Sequence, residues 1–553
     1  MRPKFWESLI MKQIRDPLYG YINLEDKFIP LIDSAEFQRL RNIRQTGYAS
    51  LYPSALHNRF VHSLGVFHLG KKAIRNFREN IVVDYPSRDW DKWEETFILA
   101  CLLHDVGHSP FSHTGEEFYR ISTNFPEVFA NQIKSVELDT DIQEQGTGKP
   151  HEAMSAYIGI QLMRKQKPAF VLDEELFVRA IAGILYKVEH TESLVLNTII
   201  GMLNGTVIDV DKLDYLIRDS YMTGYNTMAI DVDRLLKSYT ISTYTAPDNS
   251  KKKVPVYKKS ALSVVENVAY ANDLERRWIQ SNPTVLYDCK LIEIAIKKYS
   301  DYMKERFPAL ASYKNVFNEK SISKDGYPDD TGIPLRLLMD DDIISFLKNH
   351  EQGEISKQYF SREDRFKPLW KSEAEFNELF KSEIVPRILQ EFKSELKAET
   401  GSLPAGFFIN EEEYQKKLQT IKTGLSGLTA DKKGINKPVN KNQLHIYQLF
   451  RNFSQEYRFA FEFAAIYGSY FVSNYNKLTL NDIYMEVAPD IVIRLSKTLA
   501  IQAIAKTEEA QQGLFYIYTA RKNLEKAKKD DLTMALLLVR YIQKHWGDDV
   551  AIE

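Results

Sequence analysis

The chain has 553 residues, of which 44% are hydrophobic and 27% charged, the composition of a soluble globular protein larger than one ordinary domain. Its 73 basic residues nearly cancel 75 acidic ones, leaving a formal charge of −2, which excludes a dedicated nucleic-acid coat and leaves room for a local basic site. Two cysteines exclude a disulfide framework; with no signal-like opening and no run long enough for a bilayer, a cytoplasmic protein without membrane contact is expected.

In chain order the predicted elements are mostly helical. YGYINL reads as part of a short hairpin. SAEFQRLRNIRQTG reads as a helix capped by Ser34 and stopped at Gly47, with Phe37, Leu40 and Ile43 on one side. HSLGVFHLGKKAIRNFREN and the apolar ETFILACLLHD follow, then HEAMSAYIGIQLMRKQ, DEELFVRAIAGILYK and DVDKLDYLIRDSYMTG. YTISTYTAPDNSKKKVPVYKK predicts a second hairpin, turning at Pro-Asp-Asn-Ser. Two long helices, SVVENVAYANDLERRWIQ and TVLYDCKLIEIAIKKYSDYMKERF, close the first part. The character changes near Ala309, so residues 1–308 form one expected domain and 309–553 an accessory, mostly helical region. That region holds a polar, basic loop, SGLTADKKGINKPVNKNQ, between turn-rich stretches and two helical patterns, QLFRNFSQEYRFAFEFAAIYG and LTMALLLVRYIQKHW. No repeat of fixed period is evident.

Three separated pieces carry the chemistry. HNRFVHSLG holds His57, Arg59 and His62; CLLHDVGHSPFSH holds His104, Asp105, His108 and His113; IDVDKLDYLIRD holds Asp211, Lys212, Tyr215 and Asp219. Imidazole nitrogen with carboxylate oxygen suits a divalent ion such as manganese, iron, nickel or zinc, and a buried set without partners is costly unless something satisfies it. Two histidines with two carboxylates leave coordination positions for water and a phosphate oxygen, which fits metal-assisted hydrolysis. Asp211, Tyr215 and Asp219 share one helix face by their spacing of four. Taken alone, that stripe reads as a capped surface helix behind Asp209.

These pieces, with DPLYGYINL and FQRLRNIRQTG upstream in the same order, resemble the HD-domain phosphohydrolases, specifically the deoxynucleoside triphosphate triphosphohydrolase branch. The resemblance covers roughly residues 11–300 and implies a mainly α fold, an HD-domain helical core with short β-hairpins. It implies that His62, His104, Asp105 and Asp211 ligate a divalent metal (manganese, iron, nickel, zinc or magnesium), while Arg59 and Lys212 hold phosphates. His113 would act at the scissile phosphate with Glu116, which stands where the family carries aspartate, and His108 and His151 would lie around it. Tyr215, Asp219 and Gln45 would contact the sugar. Asp33, Gln38 and Arg41 match residues that bind an activating nucleotide in regulated members, and equally could pair with one another. His57 is expected to orient its loop, His68 to pack, His190 to be structural, and His151 is open between a helix cap and the pocket. Ala271 and Ile279 stand where the family brings an arginine and a tyrosine, so Arg276 or Arg277 would have to replace them.

The implied activity is hydrolysis of deoxynucleoside triphosphates to deoxynucleoside and inorganic triphosphate by a homo-oligomer. The alternatives are another nucleotide phosphoester (a monophosphate, a cyclic nucleotide or a single-stranded end), or a non-catalytic scaffold binding nucleotide or single-stranded nucleic acid through the basic loop.

Overall fold

The computed structural model describes residues 12–118, 133, 136–146, 148–166, 172–188, 190–205, 208–225, 229–313, 315–379, 406–416, 418–419, 445–467, 483–489, 491–495, 515–528 and 533–545. The expected loop SGLTADKKGINKPVNKNQ lies outside them.

The chain opens on an antiparallel hairpin, β1 (Lys12–Asp16) with β2 (Gly20–Leu24). Helix α1 (Ala35–Arg39) follows, its Ser34 hydroxyl accepting from the Phe37 N–H. It is shorter than the expected run to Gly47: a 3-10 turn ends at Asn42 and Ile43 is extended. The backbone of 43–45 is used elsewhere, because Ile43 O and Gln45 N pair with Arg59 N and His57 O. Helices α2 (Arg59–Ile81) and α3 (Trp90–Leu103) then form the centre of the site-bearing region. Every residue from Thr96 to Leu103 is buried, so α3 runs through the core and ends at the His104–Asp105 pair. Close approach of α2 needs Gly70, whose added Cβ would stand 2.5 Å from Cys101 Sγ. The main surrounding helices are α4 (Pro150–Gln166), α5 (Glu174–Ala182), α6 (Thr191–Leu203) and α7 (Val210–Thr223).

The hairpin β3 (Tyr239–Thr245) with β4 (Lys251–Lys258) follows, then α8 (Leu262–Leu274), a π-helical turn over Glu275–Gln280, α9 (Pro283–Arg306) and α10 (Asp340–Asn349). Beyond lie β5 (Lys367–Pro368), β6 (Gly406–Asn410), α11 (His445–Tyr457), β7 (Glu462–Tyr467), β8 (Tyr484–Ala488), β9 (Ile491–Arg494), β10 (Phe515–Thr519), α12 (Arg521–Lys528) and α13 (Met534–His545).

The described residues divide into two compact units that interleave along the chain. The first comprises Met1–Glu275, Ala295–Phe346 and Asn476–Lys506; the second comprises Arg276–Ile294, Leu347–Tyr475 and Thr507–Glu553. No single cut near residue 308 separates them, because β8 pairs in parallel with β4 and extends the hairpin into the sheet order β3-β4-β8-β9. The second unit carries a sheet of order β5-β10-β7-β6, all antiparallel, backed by Phe450, Phe453, Trp370 and Tyr541.

The fold is mainly α, as expected, with more strand in the C-terminal region than its pattern suggested. QLFRNFSQEYRFAFEFAAIYG contains both types: α11 ends at Tyr457, Arg458 turns with φ 56°, and β7 follows. Phe463–Ile466 are buried without interruption because β7 is central in its sheet, and such a run looks alike in a buried strand or helix.

Candidate metal centre and histidine cluster

Helix α2 starts behind Asn58, whose side chain accepts from Val61 N, and this places Arg59 and His62 in its first turn. His62 is fully buried, with Nδ1 2.7 Å from Asp214 Oδ2. His104 sits at the end of α3, its Nδ1 3.0 Å from Cys101 O. Each Nδ1–H is thereby donated, which leaves both Nε2 lone pairs facing one point. His62 Nε2 lies 2.9 Å and His104 Nε2 3.8 Å from Asp211 Oδ1, which α7 supplies. Asp105 completes the group, 3.6 Å from His62 Nε2 and 3.5 Å from His104 Nε2. Both Nε2 atoms are buried without a hydrogen bond of good geometry, which fits a cation centre held by imidazole and carboxylate.

Electrostatics point the same way. Burial opposes charge on His62, yet Asp211, Asp214 and Asp105 outweigh it and raise its pKa to about 9. Burial likewise opposes ionisation of Asp105, but Arg59, His104 and His62 hold it below the usual carboxylate range. Asp211 is held well below it, burial being outweighed by His62, His104 and Lys212.

A second group lies beside the first. His108, His113, Glu116 and His151 bring one ligand-type atom each within 4.8 Å of one another. His108 is fully buried with both ring nitrogens unpartnered and stacks on His151 at 4.3 Å. Glu116 Oε1 pairs with His151 Nδ1 and lies 3.2 Å from His113 Nδ1, so its carboxylate is already engaged by two imidazoles. Burial opposes charge on His151 and Glu116 outweighs it, raising its pKa. The His113 pKa is lowered by desolvation that outweighs Glu116, although 55% of its side chain is exposed to solvent.

The remaining expected residues are placed as follows. Arg59 is buried and committed: Nη1 is 2.7 Å from Asp105 Oδ2 and Nε is 2.9 Å from Ser112 Oγ. Lys212 Nζ is held by Asp209 and by Gly205 O at 2.7 Å. Asp219 is buried against His57 Nε2 at 2.6 Å, so His57 meets that helix face rather than only its own loop. Gln45 is buried with Oε1 unpartnered, and Tyr215 is half-buried. Asp33 pairs with Lys12 at 2.9 Å, while Arg41 Nε donates to Gln38 Oε1 at 2.7 Å. Ala271 and Ile279 are fully buried; Arg276, Arg277 and Ile279 fall in the second unit. His68 stacks on Tyr19, and His190 precedes α6 at the surface.

Sequence reasoning missed the support behind His62. Arg218 spans both Asp214 oxygens at 2.9 Å and reaches Asp16 Oδ2 at 2.9 Å, while the Tyr19 hydroxyl donates to Asp214 at 2.8 Å. Gly65 on α2 gives Asp214 its room, since an added Cβ would stand 1.9 Å from Oδ1. The available signal was the Asp214–Arg218 spacing of four within IDVDKLDYLIRD. The Phe111–Ser112 turn is a further unforeseen feature, with φ 55° and 54° at two consecutive non-glycine residues. Such conformations cost roughly 1–2 kcal/mol each, so surrounding contacts must enforce them.

Known proteins resemble part of the chain. Residues 59–198 match the family model of the HD domain, a class that binds divalent metals. It is 31% identical over 290 residues to an uncharacterized protein of Methanocaldococcus jannaschii, covering 52% of this chain and 50% of that one. It is 33% identical over 229 residues to uncharacterized protein YwfO of Bacillus subtilis, covering 41% and 43%. It is also 31% identical over 231 residues to the deoxynucleoside triphosphate triphosphohydrolase SAMHD1 homolog of Dictyostelium discoideum, covering 41% and 39%. The matched stretch thus spans half or less of these relatives. Among the described residues no helix is long and apolar enough to cross a membrane.

Proposed function

We propose that this chain is a metal-dependent phosphohydrolase that converts deoxynucleoside triphosphates to deoxynucleoside and inorganic triphosphate. The observation that carries the reading is the convergence of the buried Nε2 atoms of His62 and His104 on Asp211, with Asp105 beside them. These four residues would hold a divalent ion, and it would supply Lewis acidity to the phosphate and to water. The protein's own groups do the rest. Arg59 holds Asp105 in place, and the Asp214–Arg218–Asp16 network fixes the His62 tautomer.

Glu116 orients both imidazoles, and their opposite pKa shifts divide the labour. His113 receives a proton from the attacking water at its free nitrogen, and His151 delivers one to the departing sugar oxygen. The bond between the α-phosphorus and that oxygen breaks, and the water oxygen stays on the triphosphate. Gln45, Tyr215 and Asp219 face the sugar in this reading; Lys212 reaches a phosphate once released from Asp209.

The test is a nucleotide panel incubated with manganese, iron, nickel, zinc or magnesium, with products separated by chromatography. Intact triphosphate supports the reading. Orthophosphate or a mononucleotide supports hydrolysis of another phosphoester, an alternative favoured by the full commitment of Arg59 and the burial of Ala271 and Ile279. Cytoplasmic location and homo-oligomerisation are part of the same reading. Phe450 and Phe453 of α11 and Tyr541 of α13 are buried in the second unit's own core, so the oligomer rests on the resemblance and is checked by light scattering.

A further inference from the structure

Asp340 lies outside the residues matched by the HD domain, 229 positions after Phe111, yet it enters the same region of the first unit. It opens α10 and is buried at 3% exposure. One carboxylate oxygen accepts from Phe111 N at 2.6 Å, and the other accepts from Arg44 N at 3.0 Å. Those two backbones are joined again by Ser112, whose hydroxyl donates to Arg44 O at 2.5 Å and accepts from Arg59 Nε at 2.9 Å. The same downstream segment touches the loop's other end: Arg39 donates to Leu338 O at 2.5 Å and to His108 O at 2.6 Å.

The chemistry of this contact is particular. Phe111 and Ser112 are held in left-handed conformations that only external contacts maintain in non-glycine residues. Ionised, a side chain of this length offers two acceptor oxygens and no donor, which two converging N–H groups require; burial raises the Asp340 pKa to about 7, so the lock is complete above that pH. An amide of the same shape would turn its NH2 against one of them. His113 is the next residue along, and Arg59, the ligand-side partner of Asp105, hangs from Ser112.

We propose that Asp340 is a positioning residue for the histidine cluster, its carboxylate locking the Phe111–Ser112 turn to the Arg44 backbone and so setting where His113 stands. The proposal rests on the reading of His113 as a proton-transfer group. It extends the working site beyond residues 59–198 to the start of α10.

The test is a double-mutant cycle in the full chain with manganese and the four deoxynucleoside triphosphates. Asp340→Asn should lower kcat by about 10- to 100-fold, the cost of a misplaced reacting group, with manganese content unchanged. In a His113→Ala background the same substitution should cost less than about twofold, because its effect passes through a group already removed. An equal fold loss in both backgrounds, or no loss in either, overturns the proposal. Hydrogen exchange on peptides spanning 43–46 and 109–116 keeps the outcome separate from the substrate assignment. Asp340→Asn should speed exchange there by about tenfold or more, even if no triphosphate is cleaved, in which case the substrate reading alone fails. Unchanged exchange overturns the lock. If the Asn variant does not fold, Asp340→Ser, which leaves space for water at the second N–H, is read the same way.

Discussion

His62 and its neighbours show how one buried imidazole is prepared for a cation. With Nδ1 committed to Asp214, a proton on Nε2 competes with metal, and three carboxylates favour that proton in the metal-free protein. Because the folded pKa lies above the unfolded one, this contribution to stability is complete below about pH 6.5 and is lost as pH rises towards about 9. Thermal melts of chelated protein should therefore show stability declining across that window, and His62→Gln should flatten the decline. His104→Ala and Asp211→Ala should each lose bound metal, measured by elemental analysis, since each removes a convergent donor atom. His113→Ala should retain it and lose about 10²–10⁴ in rate, the span of one positioned acid or base. Asp214→Ala has a different signature. It removes two of the buried Arg218 guanidinium's bonds, leaving Asp16 as its carboxylate partner, and should cost about 3–5 kcal/mol in denaturant unfolding.

At the scale of elements, the site is held by close packing at the end of α3. The His104–Gly107 turn lies directly on α4, so a Cβ at Gly107 would stand 2.3 Å from Ser155 N and 2.4 Å from Met154 C. Backbone cannot yield as a flexible side chain can. Gly107→Ala should cost about 1–3 kcal/mol and shift the His104–Asp105 pair, seen as a lower unfolding midpoint together with weaker metal retention. Helix α7 is legible from its ends: Asp209 caps it by accepting from Lys212 N at 2.7 Å, and Gly224 closes it with φ 69°. Its inner face was only half legible. Asp211 and Asp219 stand out by their spacing of eight, whereas Asp214 and Arg218 lie outside that stripe. They are buried at 0% and 1% exposure because β1 and α2 close over them, and no local pattern encodes that.

For the whole molecule, the interleaving of segments has a direct consequence. A fragment ending at residue 308 would lack β8 and β9, which complete the first unit's sheet, and Leu338 and Asp340, which hold Arg39, Arg44 and Phe111. Such a fragment should be poorly soluble or should melt well below the full chain by circular dichroism, while adding residues 309–346 alone should not repair the missing strands. Equal stability of fragment and full chain would mean that the later segments contribute nothing to the first unit.

What the sequence determined by itself was the set of chemistry-bearing residues and the helices that carry them. His-Asp after an apolar run, Asn58 before Arg59 and Asp209 before Asp211 are local signals, because capping and periodicity act within a turn or two of chain. Tertiary structure alone decided which of them meet and which groups stand behind them. Asp214 and Gly65 set the His62 ring through contacts between α7 and α2, and Asp340 reaches the histidine loop from 229 positions away. The strand character of Phe463–Ile466 likewise appeared only once β10 and β6 lay on either side. Burial and hydrogen-bond satisfaction are properties of the assembled core, so a residue's neighbours, rather than its place in the chain, fix its charge, tautomer and strain.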